Sequence, residues 1–311
     1  MYIVQVVING ILLGGIYAAI GLGMSLILGI VKLTNLSHGE YIIMGAFLSS
    51  ILSSALGIDP LLTIIISAPA MFFFGYLLQR LLINHGMKRG AEPALLVTFG
   101  ISIILKDGML MLFTPDARHV ATSYSNNVIS LGGIDISLLN VILLVVSAVM
   151  IFILKAFLEK TDTGRAIRAT ADDTEAARLS GINVGHTFAV AMGIATATAA
   201  VAGTCVSMKW TFYPTSGGYY LLTAFVVVVI SGLGDIRGTL LAGVLFGLMQ
   251  VIGGASYGLL ISYLFLIVLL VFNPRELLGT AFRRKRLEAS AAGLNNGFGK
   301  NSPEEVKSDE E

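Results

Sequence analysis

The chain opens on a run from Val4 to Ile30 that contains no charged residue. As a helix such a run is about 40 Å long, more than the roughly 30 Å hydrocarbon core of a bilayer. It is also longer than the apolar region of a removable signal peptide, about 7–15 residues, and no basic residues precede it. It therefore reads as a first membrane span. Eight further apolar stretches follow, giving candidate spans at 4–30, 41–56, 61–83, 94–113, 138–158, 188–208, 219–235, 239–254 and 257–273. Several are short or interrupted by glycine, so the count of nine becomes eight or ten if they are divided differently. Periodic strands and barrel-like alternation are absent from this reading. The expected fold is all-α, a polytopic transmembrane helical bundle with interrupted helices.

Composition agrees. The 311 residues are 55% hydrophobic and 13% charged, against roughly 25% charge in soluble domains. That excludes a soluble enzyme, a disordered chain and a nucleic-acid binder. The net charge of +1 provides no global field from which to infer partners. The single cysteine, Cys205, allows no intrachain disulfide and reads as a small core residue. The 35 glycines suit close helix packing in a membrane.

Basic residues indicate orientation. The loops 31–40, 84–93, 159–187 and 236–238, the C-terminal tail and the span ends Arg80 and Lys155 hold 17 of the 20 Lys and Arg residues. The opposite side holds Arg118 and Lys209. The richer side is expected to be cytoplasmic, with the N-terminus outside and the C-terminus inside. Residues 1–282 then form the membrane domain. Residues 283–311 form a polar cytoplasmic tail that reads as disordered, its Arg283-Arg284-Lys285-Arg286 start suited to anionic membrane lipid. Within the tail, Gly299-Lys300-Asn301 fails the phosphate-loop pattern, because Leu294 replaces the first glycine and Asn301 the Ser/Thr. No cofactor is expected in this chain. The outer loop 114–137 is polar, and Trp210, Tyr213, Tyr219 and Tyr220 read as an aromatic belt at the outer boundary.

Three segments could carry chemistry. In the loop 159–187, Asp172 or Asp173 can cap a short helix over about 173–180, with Glu175 in its first turn and Gly181 at its left-handed end. Ala176, Ala177 and Leu179 give that helix a small, partly apolar surface, better explained by docking than by a solvated connector. Thr34-Asn35-Leu36-Ser37-His38-Gly39-Glu40 follows span one. Ser37 and Glu40 have capping-box spacing, but a capping box does not explain His38 or Gly39, and the segment suits a helix interrupted near a pathway. The third stretch is Phe225–Thr239, where Gly232, Gly234 and Gly238 crowd into seven residues and imply a sharp turn or another broken helix. Gly39 to Gly45 and Gly238 to Gly243 begin similar helices, which points to an internal repeat.

These segments carry a resemblance. Glu175-Ala176-Ala177 followed by Gly181 resembles the E-A-A-x-x-x-G loop of ABC importer permeases. Residues 34–40 resemble the N-[FL]-[AS]-H-G-E segment of branched-chain amino acid permeases of the LivH/LivM type. Residues 225–239 resemble that family's glycine-rich stretch, except that Ser231 and Asp235, and Thr223 just before the stretch, depart from its common residues. The resemblance runs from about residue 5 to 280. It implies an inner-membrane subunit of a binding-protein-dependent importer, carrying branched-chain or related small apolar amino acids or amides. It also implies partners: ABC ATPase subunits that use ATP and Mg, a second permease subunit that is a paralogue or a second copy, and an extracytoplasmic substrate-binding protein. By the resemblance, Asp173, Glu175, Ala176, Ala177, Leu179 and Gly181 would couple to the ATPase. Asn35, Ser37, His38, Gly39, Glu40, Thr98, Gly232, Gly234 and Gly238 are the candidates for the pathway. No catalytic or metal-binding residue is expected.

Two other classes of protein fit the sequence less well. An ion- or proton-coupled secondary transporter would bury carboxylates within its spans, and beyond Asp107, next to Lys106, the spans hold almost none. An intramembrane serine hydrolase would need a complete G-x-S-x-G, and Ile27 breaks Gly23-Met24-Ser25.

Overall fold

The computed structural model describes residues 2–271 other than 132 and 233. The tail reading for 283–311 lies outside the described residues. The elements run α1 (Tyr2–Ile30), α2 (His38–Leu56), α3 (Pro60–Leu78), a π turn (Gln79–Ile83), α4 (Asn84–Met87) and α5 (Ala91–Phe113). A hairpin follows, β1 (Val128–Leu131) and β2 (Ile134–Ser137), then α6 (Leu138–Lys160), α7 (Asp162–Asp172), α8 (Thr174–Leu179) and α9 (Val184–Lys209). A 3₁₀ turn (Pro214–Ser216), α10 (Gly217–Ser231) and α11 (Ile236–Val271) complete the described chain.

Seven of the helical segments are long and apolar enough to cross a membrane: 3–30, 38–56, 60–87, 91–113, 138–160, 184–209 and 214–231. The last two expected spans are helical too, as the shorter segments 238–254 and 256–269. They are two arms of α11, which turns at Gly254 with φ +64°. Residues 256–263 run back along the first arm, because Ser262 Oγ lies 3.5 Å from the Phe246 carbonyl oxygen and a Cβ on Gly258 would meet the Gln250 carbonyl. By contacts the chain divides into units 1–263 and 264–311. Residues 264–271 of the second unit are helical.

In the first unit, α1 and α9 are the inner helices. Of their most apolar stretches 83% is buried, against 22% for the span containing α3 and 17% for α5, so α3 and α5 present most of their apolar side chains outward. Helix α9 packs on α1, α2 and α3. Its Ala, Gly and Thr residues let neighbours approach closely, which is how helices associate where lipid removes the hydrophobic drive. Gly203 abuts the Ile42 carbonyl and Gly45 abuts Ala200. Helix α1 uses the same device on its other flank, where Gly10 and Gly14 oppose Gly243 and Gly247 of α11.

Local signals explain several boundaries. Asp59 caps α3 by accepting from Leu61 N at 2.9 Å, with Pro60 in the first turn. Gly57, in the left-handed region at φ +65°, closes α2.

The hairpin corrects the expectation that strands are absent. Val128 pairs with Ser137 and Leu131 with Ile134, around a two-residue turn that includes Gly133 at φ +85°. The Gly132-Gly133 pair between alternating residues is the sequence signal for this hairpin. Gln5 of α1 holds the hairpin by donating to the Asp135 carbonyl at 2.5 Å and accepting from Asp135 N at 2.9 Å.

Candidate translocation core and coupling segment

The 31–37 segment is not a surface loop, as the sequence reading had it. His38, the first residue of α2, places Nε2 3.2 Å from the Ile20 carbonyl oxygen of α1. Ile20 lies ten residues before the end of α1, about 15 Å along the helix. The chain thus leaves α1, turns back into the bundle and begins α2 at depth. Val31, Leu33, Asn35 and Ser37 are buried. Lys32, at φ +54°, makes the turn. Non-helical backbone at such depth survives only where protein or a polar cavity supplies hydrogen-bond partners. Here Asn35 and Thr98 supply them. Asn35 Oδ1 accepts from Ser37 N at 3.1 Å and from Ser37 Oγ at 2.7 Å. Thr98 Oγ1 of α5 accepts from Leu36 N at 3.3 Å. Ser37 Oγ also lies 2.7 Å from Tyr41 Oη. One hydroxyl proton cannot serve both contacts, so Tyr41 donates to Ser37.

The expected capping box is absent. Ser37 makes no side-chain cap bond, because its hydroxyl is committed to Asn35 and Tyr41. Glu40 turns instead towards α10. A Cβ on Gly217 would overlap the Glu40 carboxylate. Glu40 is buried, and its Oε2 has no hydrogen-bond partner. A Cβ on Gly39 would overlap the Gly217 carbonyl.

Helix α10 therefore also starts inside the bundle. Its first residue meets the first turn of α2, and its far end reaches the end of α1, where Gly234 packs on Gly29. Helices α2 and α10 begin at one depth, and two helix N-termini meeting there concentrate positive dipole ends. The aromatic belt reading changes accordingly. Tyr220 is 3% exposed, while Tyr213 is 45% exposed. Tyr219 and Tyr220 belong to the interior with Tyr17, whose hydroxyl bonds Gln250 Oε1.

The pathway candidates thus fall in two places. Asn35, Ser37, His38, Gly39, Glu40 and Thr98 gather where α2 and α10 begin. Gly232, Gly234 and Gly238 lie at the opposite end of α10. Gly232 and Gly234 take φ +87° and +81°, and Asp235 Oδ1 accepts from Gly238 N at 3.0 Å to cap α11. Gly217, Tyr17 and Gln250 were missed. No local pattern flags them, since each matters through a partner far along the chain. Lys106 and Asp107 on α5 lie 3.7 Å apart with side chains 39% and 51% exposed.

The 159–187 segment contains two helices rather than one. The unexpected α7 begins at Thr161, which accepts from Gly164 N at 2.9 Å. It packs against α6, α1 and α9 through Gly164 and Ile167. The expected short helix is present as α8. Asp173 Oδ1 accepts from Glu175 N at 2.9 Å and Ala176 N at 3.0 Å. Glu175 accepts from Arg178 at 3.2 Å. Gly181, at φ +84°, donates to the Arg178 carbonyl, and Ile182 N donates to the Ala177 carbonyl. Ala177 is buried, while Leu179 is 89% exposed. The result is a short rod, capped at both ends, that offers one leucine to solvent.

Such a chain is a multi-pass α-helical membrane protein, with broken helices meeting in its interior and a structured helical loop at one end. The family described as branched-chain amino acid transport system permease component matches residues 6–273, and the chain belongs to it. The chain is similar to the high-affinity branched-chain amino acid transport system permease protein BraD of Pseudomonas aeruginosa, 30% identical and covering 88% of this chain and 95% of that one. It is similar to LivH of Escherichia coli, a permease of the same description, at 28% identity over 90% and 96% of the two chains. The ribose import permease protein RbsC of Haemophilus influenzae is 29% identical over 75% of this chain and 72% of its own. No solved structure matches the chain.

Proposed function

We propose that this chain is the membrane-spanning permease subunit of an ABC importer in the inner membrane, carrying branched-chain amino acids. Family membership over residues 6–273 is the observation that carries the reading. The cargo follows BraD and LivH, which align along almost their whole length; the ribose permease aligns over less of its own. The pathway runs by the broken-helix junction of Asn35, Ser37, His38, Gly39, Glu40 and Thr98, and Gly232, Gly234 and Gly238 shape its exit. A second permease subunit completes it. A binding protein delivers cargo on the hairpin side. ATPase subunits, using ATP and Mg, engage α8 through Glu175, Leu179 and the Gly181 turn, with Asp173, Ala176 and Ala177 holding that helix in place.

The hairpin side is outside, because the basic residues gather with α7 and α8. The N-terminus is then outside and the C-terminus inside. Two measurements test the reading. Affinity purification from the native host should recover an ATPase and a second permease; recovery of the chain alone, with crosslinking also blank, would favour a secondary transporter. Cys205 is fully buried, so introduced cysteines report sidedness. Ser123→Cys should react with an impermeant thiol reagent in intact cells and Ser180→Cys should not. The reverse pattern would invert the topology.

A further inference from the structure

A cavity of about 370 Å³ lies at the α7 end of the bundle, bounded by α1, α6, α7 and the turn that follows α10. Its volume falls in the roughly 300–1,000 Å³ range of small-molecule sites. Leu26 and Ile30 of α1 and Ile167 of α7 form an apolar floor. Ser25, also in the lining, is fully buried and its hydroxyl has no hydrogen-bond partner. The lining carries charges of both signs, with Lys155 and Arg168 as cations and Glu159, Asp172 and Asp235 as anions. Arg168 and Asp172 sit one turn apart on α7, yet among the described residues neither is engaged in an ion pair.

A mixed-sign rim above an apolar floor suits neither a simple anion nor a lipid tail. It suits a small molecule with an ammonium, a carboxylate and an aliphatic side chain. We propose that this cavity binds a free aliphatic amino acid. The carboxylate faces Arg168 and Lys155, the ammonium faces Asp172, and the side chain rests on Leu26, Ile30 and Ile167. The ligand would touch α1, α7 and the turn below α10 together. Because α7 leads directly into α8, occupancy would hold the coupling segment against the bundle. The regulatory consequence rests on the importer reading: amino acid accumulated on the α7 side slows further uptake.

The test uses the complex purified from its host, without the extracytoplasmic binding protein, and radiolabelled leucine. Arg168→Gln and Asp172→Asn should each weaken leucine binding at least tenfold without moving the thermal midpoint. 4-Methylpentanoate, which lacks the ammonium, and 3-methylbutylamine, which lacks the carboxylate, should compete at least tenfold more weakly than leucine. No leucine binding at millimolar concentration, or binding unchanged in both variants, would overturn the proposal. In proteoliposomes, leucine supplied on the α7 side should slow uptake by the unmodified complex and not by Arg168→Gln. Absence of ATP-driven uptake altogether would instead remove the importer reading, while the binding measurement would still decide the cavity.

Discussion

Gly39 of α2 and Gly217 of α10 touch backbone to backbone, so a methyl group on Gly39 would fall on the Gly217 carbonyl oxygen. This contact joins two helices that both begin inside the bundle. Gly39→Ala must push the backbones apart, at the about 1–3 kcal/mol cost of overpacking. Its thermal midpoint in detergent and its uptake should both fall. Gly218→Ala is the control, because nothing lies within 4 Å of a Cβ there. It should be neutral or slightly stabilising.

Asn35 stands in for the hydrogen bonds that helix would otherwise supply to Ser37. Asn35→Leu leaves the Ser37 N–H and hydroxyl short of an acceptor in a buried site. Each unmet group costs about 1–3 kcal/mol. Thermal unfolding in detergent should show a clear loss. An unchanged midpoint would mean that the 31–37 segment is not held as described.

The α8 rod separates stability from coupling. Asp173→Ala removes an N-cap worth about 1 kcal/mol to this helix and should lower uptake several-fold at equal membrane abundance. Leu179→Asp changes a side chain that is 89% exposed among the described residues, so abundance and midpoint should hold while ATP-driven uptake falls at least tenfold. Glu175→Lys combined with Gly181→Trp should behave likewise. Normal uptake by either variant would refute the docking role.

Tyr124, in the loop before the hairpin, donates to Asp59 Oδ1 at 3.0 Å. Burial first, and the Asp59 carboxylate second, push its hydroxyl up to about 12 from a usual 10. A raised value means that the neutral phenol is favoured by folding. The stabilisation is complete below pH 10 and is lost as pH rises from 10 to about 12. A difference titration at the phenolate absorbance, intact protein minus Tyr124→Phe, should place this group near the upper figure. A midpoint near 10 would mean that the Asp59 contact is not maintained.

The apolar runs were readable because lipid imposes length and composition on each segment separately. The α8 helix was readable because caps are local: Asp173 and Gly181 mark its ends in sequence. The depth at which α2 and α10 begin was not. That depth is set by His38 meeting Ile20 and Gly39 meeting Gly217, contacts between residues distant along the chain. The capping-box spacing of Ser37 and Glu40 misled for the same reason, because Tyr41 and Gly217 offered better company. The amphipathic α7 was missed because its apolar residues are few, Ile167 chief among them, and its burial depends on α1 and α6.

Uptake by the reconstituted complex tests the importer reading most directly. Proteoliposomes holding the purified complex would be supplied with its binding protein and labelled leucine, with and without ATP on the α7–α8 side. Uptake should require ATP, should be competed by isoleucine and valine but not by ribose, and should be lost in Leu179→Asp. Uptake driven by an ion gradient without ATP, or competed by ribose, would contradict it.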